Sequence, residues 1–155
     1  MSKSDFKKLK EETERKYKKI KAVDSPALKS SVIFNSNGFH HLRYDNSRKE
    51  RDKKIQRNKF IFFDEAVKVI KKSTTIQEHR RQYVKDNNPD RGGLCKVKLV
   101  QWFAFFVIIS FSKQIRIKVI VRKVGEGQYH FWSVMPFWTL SNNVKVIGSK
   151  DIEDG

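Results

Sequence analysis

Cysteine is almost absent: Cys95 is the only one in 155 residues. A single thiol excludes an intrachain disulfide framework and argues against a Cys-built zinc site. Long apolar runs are also lacking. The longest, Leu99 to Phe111, spans 13 residues and is interrupted by Gln101 and Ser110, whereas a membrane-crossing helix needs about 20. It is expected to be core, and no membrane partner is expected. No charged-then-apolar opening resembles a secretory signal, because the first 21 residues are rich in Lys and Glu. The expected compartment is the cytoplasm. Glycine-rich phosphate loops of the Walker or dinucleotide type are missing, as are His pairs at i,i+4 beside a Glu and clustered carboxylates. Neither a metal nor a cofactor is expected.

Acidic residues are scarce as well, 17 against 34 Lys and Arg, which leaves a net charge of +17 and a pI near 10.1. A polyanion is the first partner to consider, whereas the bland alternative is that lysine only keeps a small domain soluble. With 38% hydrophobic and 12% aromatic residues, the chain has enough apolar surface to fold. Its length suits one domain. Half of the bases fall in residues 31–98, and they concentrate between Arg43 and Lys59. The expected organisation is a charged helix over 1–24, a main domain over 25–148 and an acidic tail over 149–155.

Phe6, Leu9, Thr13, Tyr17 and Ile20 recur at steps of three and four, which predicts a helix over 4–21 with one narrow apolar stripe. The stripe either docks or lets the helix project as an arm, and Asp24-Ser25-Pro26 stops it. Ser31 to Asn35 reads as a short strand closed by Asn37-Gly38. The stretch from Phe39 to Lys59 is too polar for a core element, so a helical turn followed by a mobile basic loop is expected. Phe63, Ala66, Val67 and Ile70 predict a helix over 62–72, with residues 75–86 extending or following it, and Asn87 to Gly93 is the strongest loop signal. The remainder reads as β: a buried strand over 101–111 and a strand around Ile115 to Val119 presenting Arg116 and Lys118 from one face. A hairpin turn at 125–128 and a returning strand from Tyr129, ended by Pro136, complete it, and a short edge strand is expected at 143–148. The fold class expected is α+β, with N-terminal helices packed on one face of an antiparallel sheet.

What remains after these exclusions suits RNA cleavage without a metal. There the substrate's 2′-hydroxyl attacks, one group removes its proton, cations neutralise the phosphorane, and another group assists the leaving oxygen. Histidine exchanges protons near pH 7, and Arg grips phosphate with two prongs. The chain offers His40, His41, Arg43, Arg48, Arg51, Arg116, His130, Ser133 and Thr139 for these tasks, although each of the histidines also has an ordinary structural reading. Alternation places His130 opposite Tyr129 and Phe131, and His79 is expected to face solvent from a charged helix. Trp132 and Trp138 are candidates for base stacking or for the core. Backbone binding falls to Arg43, Lys53, Lys54, Arg57, Arg116 and Lys118.

Ile33-Phe34 with Gly38-Phe39-His40-His41-Leu42, the basic segment with Arg48 and Arg51, and the strands Ile117–Arg122 and His130–Met135 resemble the barnase–EndoU–colicin–RelE-like (BECR) nucleases associated with phages. The resemblance covers roughly residues 30–140. It implies helices before an antiparallel sheet, a metal-independent endoribonuclease site, and a role as a toxin or effector of a phage or mobile element. RNA would be the substrate and an acidic antitoxin or immunity protein the partner. It also implies that His41 is the general acid/base, with His40 the alternative. By the same resemblance, Arg48 or Arg51 binds phosphate and Ser133 positions it.

Overall fold

Ser2 opens the first helix with a capping box. Its hydroxyl accepts from the Asp5 amide while the Asp5 carboxylate accepts from the Ser2 amide, and these bonds hold the Asp5 carboxyl below its usual range. The computed structural model describes residues 2–85, 92–93, 96–110 and 114–137. Four helices, α1 (Lys3–Lys19), α2 (Ser36–Arg43), α3 (Lys53–Ile61) and α4 (Phe63–Lys72), accompany six strands. The strands are β1 (Ala22–Ser25), β2 (Ser30–Ile33), β3 (Glu78–Lys85), β4 (Val97–Ser110), β5 (Gln114–Val124) and β6 (Tyr129–Phe137). They form one sheet in the order β1-β2-β6-β5-β4-β3. The fold is α+β. Every described pairing is antiparallel except β2 with β6, which run parallel through Val32↔Tyr129 and Ile33↔His130.

The α1 stripe docks rather than projecting. Thr13 and Tyr17 are buried, Phe6, Leu9 and Ile20 pack against the main core, and Lys16 reaches Asp64 in the first turn of α4 at 2.9 Å. The larger apolar cluster joins the helices to one sheet face through Val32, Phe103, Phe105, Ile117, Val119, Val121 and Phe131. Burying side chains of this size stabilises by roughly 1.5–3 kcal/mol each. A smaller cluster of Val100, Trp102, Ala104, Ile120 and Met135 lies on the opposite face.

Four expectations are corrected. The basic stretch after Tyr44 is not a loose loop: Asp45 accepts from the amides of Ser47 and Lys49, and Arg51 N–H bonds back to Arg43. Residues 53–61 are helical, capped by Asp52. That helix buries Gln56, Lys59 and Phe60, so its core-facing positions have helical spacing but polar residue types. Residues 78–85 do not continue a helix but pair along their whole length with β4, which places His79 on a strand, stacked on Phe103 and bonded to Gln101. Pro136 does not end the pairing, since it sits opposite Ile117. Among the described residues, β2 pairs with β6 only at residues 129 and 130, so no described strand calls on the missing N–H of the proline on that side.

Residues 86–91, 94–95, 111–113 and 138–155, with Trp138, Thr139, the strand expected at 143–148 and the expected acidic tail, lie outside the described residues. Among the described residues no helix is long and apolar enough to cross a membrane.

Candidate functional site

Among the described residues, α2 and α3 rather than another strand cover the side of β6 beyond His130. Gly38 makes the approach of α2 possible: a Cβ there would meet the carbonyl of Phe131 and the hydroxyl of Tyr17. Lys59 of α3 donates to the Val134 carbonyl at 3.1 Å and to Ser133 Oγ at 2.8 Å. It thereby satisfies an edge acceptor that would otherwise be buried without a partner.

Against this edge α2 presents His40 and His41. His41 is 3% exposed, and its ring stacks on Trp132 with centroids 3.9 Å apart and planes 19° apart. Arg51 clamps it twice, with Nε donating to the His41 carbonyl at 3.0 Å and Nη2 lying 3.1 Å from Nε2. A guanidinium only donates, so Nε2 is the acceptor and the imidazole is neutral with its proton on Nδ1. Gln56 in turn donates to the Arg51 carbonyl at 2.7 Å. The chain Gln56–Arg51–His41–Trp132 fixes the histidine from α3 to β6.

Arg122 lies over the same Trp132 ring at 4.4 Å and stands beside His130 in the β5–β6 register. Burial draws the Arg122 guanidinium below its ordinary value. Burial, and then the charge of Arg122, lower His130 to about 4, so its imidazole is neutral at pH 7. Trp102 Nε1, Arg122 Nε and His130 Nε2 are buried with no hydrogen-bond partner among the described residues.

These elements border an open cleft of about 250 Å³ lined by Asn37, His40, His41, Asp45, Asn46, Arg48, Arg122 and Trp132. Arg48 reaches it from a backbone with φ 61°. Of the residues expected from sequence, His40, His41, Arg48 and Trp132 therefore converge. Arg51 sits behind the cleft as the support of His41. Ser133 is fully buried on Lys59 and does not line the cleft.

The expected backbone-binding cations divide. Lys54 and Arg57 are exposed on α3, Lys53 lies over the Phe6 ring, and Arg43 lies over Tyr44 beside Glu50. Arg116 covers Phe106. Lys118 is not presented to solvent: it is 6% exposed and paired with Glu78 at 2.8 Å. Sequence reasoning missed Arg122, Gln56 and Lys59. The first was available by counting back from the 125–128 turn, which sets Arg122 opposite His130; the other two carried no hydrophobic signal.

Among the described residues no group of three His, Cys, Asp or Glu stands close enough to hold a metal ion. Comparison of the chain with protein-family models, with curated proteins and with solved structures finds no match in any of the three.

Proposed function

We propose that this protein is a metal-independent endoribonuclease of the BECR kind that its sequence resembles. The observation that carries the reading is the convergence of His40, His41, Arg48, Arg122 and Trp132 on one open cleft. In the proposed reaction the RNA 2′-oxygen forms a bond to the adjacent phosphorus while its proton passes to an imidazole. The P–O5′ bond breaks, a proton is delivered to the leaving oxygen, and a 2′,3′-cyclic phosphate remains. His41 is the general acid/base, taking the proton on Nε2 as Arg51 releases that nitrogen; His40 is exposed beside it as the second candidate. Arg48 and Arg122 neutralise the phosphorane charge. The setting proposed is the cytoplasm, as a toxin or effector of a phage or mobile element, with an acidic antitoxin or immunity protein as its restraint.

The second reading is a non-catalytic RNA- or DNA-binding module that uses the basic stretch 43–59, and the occupation of His41 Nε2 by Arg51 favours it. The two separate with labelled RNA in excess chelator. Cyclic-phosphate fragments support cleavage, whereas retarded but intact RNA supports binding alone. For a cleaving enzyme, His41→Ala should lower the rate by roughly 10²–10⁴-fold with little loss of RNA affinity, and His40→Ala clearly less. Equal, mild losses in two folded variants would remove His41 from the chemistry, and intact RNA across a broad panel would reject the enzyme.

A further inference from the structure

Among the described residues, nothing covers the far end of the sheet face that carries the helices. Beyond the helices it continues onto β3 and the adjoining halves of β4 and β5, where strand alternation puts His79, Arg81, Tyr83 and Lys85 on one side. Arg81, Tyr83 and Lys85 are exposed, and Tyr83 shows 67% of its surface to solvent. The register extends this surface across the sheet in a row Arg81–Gln101–Lys123–Tyr129, with the Lys123 ammonium 4.9 Å from the Tyr129 ring centroid. Next to it lie Leu99 opposite Tyr83 and Val97, 60% exposed, opposite Lys85. Among the described residues of these strands, no carboxylate shares this side.

An exposed ring on a strand paired along its length with β4 and flanked by cations at i±2 matches what a single-stranded polynucleotide requires. One base needs a flat π-face, and the phosphates on either side need positive charge without competing acids. A duplex hides its base faces and gains nothing from the ring. Solubility alone accounts for the cations but not for a tyrosine held 67% exposed between two of them. We propose that this open wing of the sheet binds single-stranded RNA, Tyr83 stacking on a base while Arg81, Lys85 and Lys123 contact phosphates. The surface is separate from the cleft, and the proposal stands whether or not the cleft cleaves.

The test uses the full chain and a fluorescein-labelled, mixed-sequence 2′-O-methyl oligoribonucleotide, which lacks the attacking hydroxyl and so stays intact. Fluorescence anisotropy should show Tyr83→Ala weakening binding about tenfold, the effect of losing one stacked base, with Tyr83→Phe close to wild type. Arg81→Gln with Lys85→Gln should reduce the slope of log affinity against log salt by about 1.4, from about 0.7 per single-strand phosphate. Lys7→Gln with Lys18→Gln on α1 removes the same charge elsewhere and should leave most of that slope. Because all these side chains are on the surface, the variants should keep the wild-type melting temperature. The proposal is overturned if Tyr83→Ala binds as wild type, if the α1 pair and the wing pair lose affinity equally, or if the wild type ignores the oligonucleotide. It is equally overturned if a polyglutamate peptide, not the oligonucleotide, shows the Tyr83-dependent binding, which would assign the wing to an acidic protein.

Discussion

Replacing Gly38 by Ala separates two opposing effects by their sign. Gly38 lies in the first turn of α2 with its N–H on the Asn35 cap, and its φ is not in the left-handed region. On helix propensity alone, alanine there should stabilise by up to about 1 kcal/mol. The added Cβ, however, meets the Phe131 carbonyl and the Tyr17 hydroxyl. The hydroxyl could swing away only by giving up its bond to the Asn35 carbonyl. The carbonyl belongs to a strand paired with β5 at that residue and cannot move cheaply. Overpacking of this kind costs about 1–3 kcal/mol, toward the upper end here because one collision is with backbone, so the net effect should be a loss of about 1–2 kcal/mol. For a chain of this length that lowers the melting temperature by about 5 °C, readable by calorimetry or urea unfolding at pH 7. Tyr17→Phe in the same background removes only one of the two collisions, so the double variant should recover part of the packing loss and not all of it. Since α2 carries both cleft histidines, the displaced helix should also weaken whatever the cleft does. A Gly38→Ala protein as stable as wild type or more so would refute the close approach of α2 to β6.

Lys59→Met keeps the volume of the side chain but leaves the Val134 carbonyl and Ser133 Oγ without their donor; unfolding should show a loss of about 2 kcal/mol. Ser133→Ala should cost about 1 kcal/mol and leave cleft function nearly intact, and a large functional loss with unchanged stability would return Ser133 to the chemistry. His130 carries a pH signature: lowered to about 4 in the folded state from an ordinary 6.5, it binds a proton more readily unfolded than folded. Its contribution is therefore complete above pH 6.5 and lost as the pH falls toward 4, amounting to about 3 kcal/mol at about 1.4 kcal/mol per pH unit. His130→Gln should flatten urea-unfolding stability across that window, and an unchanged profile would show that His130 is not held neutral by burial beside Arg122.

The elements legible in the sequence are those whose buried side is written in apolar residues. The α1 stripe, α4 and β5 each have a hydrophobic period that matches the structure, and the hairpin turn at 125–128 sets the register of β5 against the first residues of β6. The same reading failed at α3 because Gln56 and Lys59 hold two of its three buried positions, each buried with its own hydrogen bonds rather than by its own hydrophobicity. It failed at β3 because a strand exposed on both sides shows no alternation, and EHRRQYVK is as good a surface helix until β4 supplies the ladder. Within the cleft, the histidines and Arg48 were legible as residue types. That Arg51 faces inward to hold His41, rather than outward to hold phosphate, depends on α3, the element the sequence concealed.

The position of Trp132 was written in the sequence in a form that period-two reading passes over. Phe131 and Val134 both belong to the larger core cluster, yet they are three residues apart, which places them on opposite faces of an unbroken strand. One residue between them must be extra. The register shows which: Val121 pairs with Phe131 and Ile120 with Ser133, so Trp132 has no opposite number on β5. A bulge of this kind frees its residue from the ladder, bends the strand and increases its twist. Here the freed residue is the ring that stacks on His41 and receives Arg122. The bulge also explains the fate of Ser133, which the shifted alternation sets opposite Ile120 while Val134 takes the core position opposite Val119. The cleft is therefore a consequence of one inserted residue at the point where β6 has lost β2 as a neighbour. There Gly38 and Lys59 close the edge, and the indole, packed against the smaller cluster, meets His41 of α2 and Arg122 of β5.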